Sequence, residues 1–578
     1  MKRIVHLALM VSGLLALSEG GHMAQLQAAP ALRQVITLTQ PDGSTLQVLP
    51  VGDEHYSYYI DAATQLYVTQ DEETHFWRTM TKEETIATDQ EWKASRVRAA
   101  KMFQSIKKLG GVPQKSEVKL PVFLVQFSDT PLSQAYGTKE FYDAALNDLD
   151  HDRVAYVSNN REYHTGSIRK YWNDQSLGKF DPHFDVFDVI TLKHDIAYYG
   201  QNVGSNKDAQ IDYLFKEVVD TASARGYFDD LARYDNDGNK VLDCIYIVFA
   251  GKGENEGAGA GTIWAKCASG RVYNLSGGYR TNLFMITPEL STYGGPCLGV
   301  FAHEFGHTLG LPDFYSTNSS TQTGCYGMDA WSLMDQGSYN GRDQIPASLT
   351  AHERMSFGWI DEPDEIPANG VVALPPFGST GKALIMRNEE NPNEYVTIEN
   401  HQPGDNLWDK TWGNGTYYAG TQHAGLLITY VNYDASIWSY NTVNADSLFQ
   451  RCSPIAADGE KYLYRNFDGK TQDSYNLFRH NLSSDIFPGK SSNTKLNSSN
   501  PYFHWHNGDT IAFNIENVVQ RSSGNVDITF SRHDESGIEA IEVSKQDKQK
   551  TIKRLYRGQI YIEQDGRCYD ILGREIKK

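Results

Sequence analysis

Cysteine is scarce in this 578-residue chain and absent from its first 240 positions. The six residues, Cys244, Cys267, Cys297, Cys325, Cys452 and Cys568, form no Cys-x-x-Cys pair, which argues against a thiolate zinc site. A thiolate switch in the N-terminal region is excluded outright. Cysteine pairing stays open between disulfides, with Cys297–Cys325 one option, and buried thiols. Long apolar runs are also missing. After Lys2-Arg3 the run Ile4 to Leu17 is too short to span a bilayer and reads as a secretory signal over residues 1–28, with small residues at Gly20, Ala24 and Ala28 to cut after. No later stretch is long and apolar enough for a transmembrane segment. Basic residues are in deficit, 53 against 72 acidic ones, and the formal charge of −19 disfavours nucleic acid and anionic membranes.

What is present centres on residues 303–313, His-Glu-Phe-Gly-His-Thr-Leu-Gly-Leu-Pro-Asp. On a helix, His303 and His307 stand one turn apart on a single face, where two imidazoles can share a Zn²⁺ ion. Glu304 is poised to take a proton from water as general base. Gly310 can end the helix with a positive φ, and Pro312 stops its continuation. The turn then delivers Asp313 as the third ligand, leaving one coordination position open for catalysis. Leu298, Val300, Phe301, Phe305 and Leu309 supply the apolar positions that would pack this helix.

The string HEFGHTLGLPDFY resembles the elongated zinc signature of metzincin metallopeptidases, and more closely the immune inhibitor A family of secreted bacterial peptidases. Trp331-Ser332-Leu333-Met334-Asp335-Gln336-Gly337 is similar to that family's Met-turn, which makes Met334 the methionine expected beneath the metal, with Met328 as the alternative. The resemblance extends over roughly residues 118–531. It implies an α+β metzincin-like catalytic domain, a twisted sheet plus the active-site helix and Met-turn, followed by an all-β sandwich-like domain.

Residue patterns divide the chain accordingly. Residues 29–117 hold short strand-like runs, Gln34 to Thr39, Leu46 to Leu49 and Tyr56 to Ile60, then a basic stretch from Lys93 to Lys108; together they read as a propeptide with a cleavable linker. The catalytic domain is expected over 118–360, with strands at Val118 to Phe127, Val241 to Ala250, Thr262 to Ala265 and Asn282 to Ile286. An amphipathic helix is expected over Asp208 to Gly226, its Ile211, Leu214, Phe215, Val218, Val219 and Ala222 facing a core. A closing helix follows near Leu349 to Phe357, with His352 on its surface. Residues 361–535 alternate in short runs rich in Gly, Asn and Tyr, as β-sandwiches do. A linker and strand-turn-strand tail over 536–578 looks like the sorting tails of exported bacterial proteins and suggests contact with secretion machinery.

Two further sites are expected. Asp235, Asp237, Asn239 and Asp243 match the start of a Ca²⁺ loop, although Tyr246 replaces the closing glutamate; a plain polar turn is the alternative. Gly52-Asp53 offers a carboxylate on a permissive backbone that could plug the zinc position and keep the enzyme latent. The expected function is a secreted or cell-surface zinc endopeptidase acting on protein substrates and made as a zymogen. The alternative is an exported adhesin whose zinc site is degenerate or structural.

Overall fold

The computed structural model describes residues 25–53, 57–71, 74–88, 110–158, 160–203, 207–317, 327–410, 424–446, 449–459 and 482–532, and the backbone of strands between 551 and 576. The signal segment before residue 25, the basic linker and Cys325 lie outside the described residues.

A six-stranded sheet carries the site. Its order is Gln25–Gln27, Lys266–Asn274, Arg280–Leu290, Ile245–Lys252, Glu117–Gln126, Asp181–Thr191. The last four run parallel, whereas Lys266–Asn274 is antiparallel to its neighbour. Strict alternation in the strand Glu117–Gln126 explains why both faces are covered. Val118, Leu120, Val122 and Leu124 enter a core with the helix Leu298–Leu309, while Phe123, Val125 and Phe127 enter a second core on the opposite face. That second core takes Ile211, Leu214, Phe215, Val218, Val219 and Ala222 from the helix Ile211–Ala224, the periodicity read from the sequence. Each large aliphatic or aromatic side chain so buried contributes roughly 1.5–3 kcal/mol.

Thr262 to Ala265, expected as a strand, is a loop; the pairing begins at Lys266. The reason is that Trp264 and Ala265 hydrogen-bond sideways, to Asp208 and Asn255, instead of along the sheet.

Before this region, five strands from Ile36 to Thr79 form an antiparallel meander over a small core of Leu49, Val51, Tyr58, Ile60 and Tyr67. After it, two sheets built from residues 364–488 and from 369–374, 513–520 and 526–532 share one apolar core. The C-terminal region also docks on the first core: Leu427, Val431, Val443, Cys452 and Ile486 join it, and Trp408 packs edge-on against Tyr171 at 5.0 Å. The last strands, between 551 and 576, make a four-stranded meander. Among the described residues, no helix is long and apolar enough to cross a membrane.

Candidate metal centre

The helix Leu298–Leu309 is buried along its whole length, and Gly310 ends it at φ 106°. The chain can then turn back, and Leu311 N donates to Gly306 O. The turn brings Asp313 to the paired imidazoles. His303 Nε2 and His307 Nε2 are 3.1 Å apart, and Asp313 Oδ1 is 3.2 Å from each. Both imidazoles are oriented through their other nitrogen: His303 Nδ1 lies 2.8 Å from Leu333 O, and His307 Nδ1 2.8 Å from Leu311 O. A carbonyl can only accept, so each Nδ1 carries the proton and each Nε2 presents a lone pair. Asp313 Oδ1, fully buried, has no hydrogen-bond partner. Three lone pairs thus converge where no proton stands between them, an arrangement that repels itself unless a cation lies at its centre. The donor set, two nitrogens and one carboxylate oxygen, suits zinc.

Met334 lies beneath this centre. A Cβ added at Gly306, between the two histidines, would come within 2.7 Å of Met334 Sδ, so the glycine lets the methionine close against the helix. Asp335 fixes the turn around it by accepting from Met328 N and Asp329 N, each at 3.0 Å, and from Gln336 N at 2.7 Å. Met328 is buried in the same core.

Glu304 lies beside the imidazoles, and its Oε1 accepts a hydrogen bond from Ala29 N at 2.7 Å. The segment around Ala29 fills the cleft. Gln25–Gln27 adds an antiparallel strand to Lys266–Asn274, pairing Gln25 with Ser269 and Gln27 with Cys267. Beyond it Tyr315 OH donates to Ala28 O at 2.6 Å, Trp264 Nε1 to Ala29 O at 2.9 Å, and Tyr339 OH to Pro30 O at 2.7 Å. Asp53, expected at the metal, is buried but is not among the groups whose ligand atoms converge there. Its neighbour Gly52, at φ 118°, instead lends its carbonyl to Ala31 N at 3.0 Å, so this turn braces the segment that fills the cleft.

The acidic loop gathers Asp235, Asp237 and Asp243 with ligand oxygens within 4.8 Å of one another. Asn239 does not point its oxygen there without competition, because Oδ1 accepts from Val241 N at 2.7 Å. Tyr246 is buried in the sheet and bonds Thr308 Oγ1 at 3.0 Å. Burial pushes the Asp243 carboxyl up to about 7, with Asp237 and Asp235 adding to the shift.

Several residues escaped sequence reasoning. Asn441, in the C-terminal region, receives Asp313 N on its Oδ1 and donates to Asp313 Oδ2 through its Nδ2, both at 2.6 Å. It holds the ligand's second oxygen and leaves the first aimed at the imidazoles; no local motif announces a contact across 128 positions. His352 is not on a helix surface: it is buried between Tyr395 OH at 2.7 Å and Trp438 Nε1 at 3.2 Å, and burial lowers it to about 4. Its helix, Ala351–Ser356, begins with a Thr350–Glu353 capping box that its sequence does spell. Cys244, Cys267, Cys297 and Cys452 stand as buried thiols, and Cys297 Sγ donates to Glu256 Oε1 at 3.2 Å.

Two oriented imidazoles and a clamped carboxylate beside a helix-borne glutamate form a donor set that could hold one metal ion. Residues 107–358 match the model of the immune inhibitor A peptidase M6 catalytic domain, so the resemblance to that family holds over this region of the chain. It is 29% identical over 267 residues to the pre-pro-metalloprotease PrtV of Vibrio cholerae serotype O1, covering 40% of this chain and 28% of that protein. With immune inhibitor A of Bacillus thuringiensis subsp. alesti it shares 26% over 278 residues, 41% of this chain and 39% of the relative. The aligned part thus spans well under half of either relative's length. Among solved structures, metalloproteinase-II from Bacteroides fragilis overlaps with a TM-score of 0.20 at 11% identity, covering 58% of this chain and 93% of that one. Catalytically inactive OgpA from Akkermansia muciniphila, in complex with an O-glycopeptide, overlaps at 0.19 and 12%, covering 57% and 92%.

Proposed function

We propose that the chain is a zinc-dependent endopeptidase, exported through its N-terminal signal, cut after Gly20 or Ala24 so that the segment from Gln25 onward stays, and held latent until the rest of its N-terminal region is removed. The observation that carries this reading is the convergence of His303 Nε2, His307 Nε2 and Asp313 Oδ1 beside Glu304 in a family of peptidases. Zinc, when bound by these three side chains, supplies the Lewis acidity that amide hydrolysis needs. Glu304 takes a proton from the attacking water. The water oxygen bonds to the scissile carbonyl carbon, the carbon–nitrogen bond breaks, and Glu304 passes its proton to the leaving amine. Met334 and Asn441 do no chemistry; they keep the imidazoles and the carboxylate in place, as partners behind metal ligands do.

Asp235, Asp237, Asn239 and Asp243 are read as a shortened calcium site that steadies the entrance of the strand Ile245–Lys252. The C-terminal strands are read as a sorting tail. The decisive measurement for the function is hydrolysis of casein by zinc-loaded processed protein with and without chelator. Hydrolysis abolished by chelator and restored by zinc is expected; zinc-loaded protein that cleaves nothing would leave the adhesin reading in its place.

A further inference from the structure

The occupant of the cleft is a peptide, and its atoms meet the reacting groups in an informative order. The nitrogen that touches Glu304 belongs to the amide joining Ala28 to Ala29, and the carbonyl of that same amide accepts from Tyr315 OH. A proton-carrying glutamate must deliver to the nitrogen of the bond being cut. A donor that stabilises the reaction must reach that bond's oxygen. The Ala28–Ala29 amide satisfies both conditions. The residues before it lie antiparallel to the edge strand Lys266–Asn274, and the residues after it are held by backbone contacts: Trp264 to Ala29 O, Tyr339 to Pro30 O, and Gln336 Nε2 to Ala31 O at 3.0 Å. Adding a strand to an edge is a sequence-tolerant way to seat an extended peptide.

We propose that Leu26 to Leu32 occupies the cleft as an uncut substrate with Ala28–Ala29 in the scissile register, that Tyr315 is the catalytic residue polarising the scissile carbonyl, and that the site takes extended peptides with a small residue before the cut and an uncharged apolar residue after it. This rests on the peptidase reading. Ala29 shares an apolar cluster with Leu32, Ala265, Cys297, Val300 and Tyr339, so the position takes an uncharged apolar side chain and rejects a carboxylate. Ala28 packs against Trp264 and Ala31. The segment inhibits because Glu304 Oε1, engaged by Ala29 N, is withheld from water, and because three further ties keep the peptide from leaving. These are Ala31 N to Gly52 O, Leu32 N to Asn255 O at 2.8 Å, and the Arg33–Asp329 ion pair at 3.3 Å.

The test uses the full, zinc-loaded chain, unprocessed. Ala29→Asp places a carboxylate in the apolar cluster and Arg33→Glu breaks the terminal tie; thermal melting checks that each variant is folded. Both are expected to raise chelator-sensitive casein hydrolysis at least tenfold over the unprocessed parent. Adding Tyr315→Phe to whichever derepressed variant folds should lower kcat by roughly 10²-fold, with KM within about twofold and zinc content unchanged. A synthetic peptide of residues 26–33 should compete with casein, and its counterpart with Asp in place of Ala29 should not. If derepressed and processed proteins alike hydrolyse nothing, the peptidase reading falls. If processed protein is active but Arg33→Glu stays as latent as the parent, or Tyr315→Phe keeps its kcat, the inference falls and the peptidase reading stands.

Discussion

Two buried histidine–carboxylate groups stand in different halves of the molecule and behave oppositely. At the metal centre one carboxylate, Asp313, is shared by two imidazoles. In the C-terminal region one imidazole, His401, is shared by two carboxylates, with Nε2 3.0 Å from Glu399 and Nδ1 3.4 Å from Asp409. Burial lowers the His307 imidazole despite Asp313. Burial opposes the charge on His401 too, but Asp409 and Glu399 overcome it and raise the group to about 9. The difference lies in what faces the second ring nitrogen. A backbone carbonyl fixes a neutral tautomer with a lone pair to give away, whereas a second carboxylate fixes a proton. Residue types alone therefore do not make a metal ligand; the partner behind the ring does.

The comparison can be broken at either end. The largest effect is expected from Glu304→Gln, which leaves the lone pairs of the three ligands intact: kcat should fall by roughly 10³-fold while zinc content by elemental analysis matches the parent. Near-normal turnover would remove Glu304 from the mechanism. Asp313→Ala should lower both zinc occupancy and rate, since two imidazoles without the shared carboxylate are an incomplete site; unchanged metal content would put the third ligand elsewhere. Next in size is Asn441→Ala, which frees Asp313 Oδ2 and should weaken zinc affinity by about 10- to 100-fold in chelator competition without touching a ligand. His401→Gln should leave zinc affinity as it is. Its effect is on the pH profile of stability. His401 is raised above its unfolded value near 6.5, so its contribution is complete below that pH and is lost as pH climbs through about 9. The parent's melting temperature should fall across that window by an amount equivalent to at most ~3 kcal/mol, and the variant should show a flatter profile. A profile identical in both proteins would mean that His401 is neutral.

The helix-bearing motif was legible because its information is local. His303, Glu304, His307, Gly310 and Asp313 sit within one helix and one turn, and spacing alone places them together. The sheet strands and the helix Ile211–Ala224 were legible for the same reason, through periods of two and 3.6 residues. The reading failed wherever side-chain hydrogen bonds, not periodicity, decided the outcome. His352 looked like surface because neither Tyr395 nor Trp438 is near it in sequence. Thr262 to Ala265 looked like a strand because its composition is apolar, but its amides are spent on Asp208 and Asn255. Gly52-Asp53 drew attention as a glycine–carboxylate pair, while the segment actually in the cleft is uncharged and largely apolar and carries no chemical signature. Its contacts are made by its backbone, which every residue possesses.

Asn441 carries a consequence for the order of events during synthesis. The chain reaches its ligand triad by residue 313, yet the amide that aims Asp313 arrives 128 positions later, from a loop whose neighbours, Val443 and Asn444, pack against the region around Phe314. Until that loop has emerged and docked, nothing else among the described residues holds Asp313 Oδ2 in place. On the proposed zinc reading, uptake of the ion would follow folding of the downstream half, and a chain truncated before residue 441 is expected to bind zinc less tightly than the full chain.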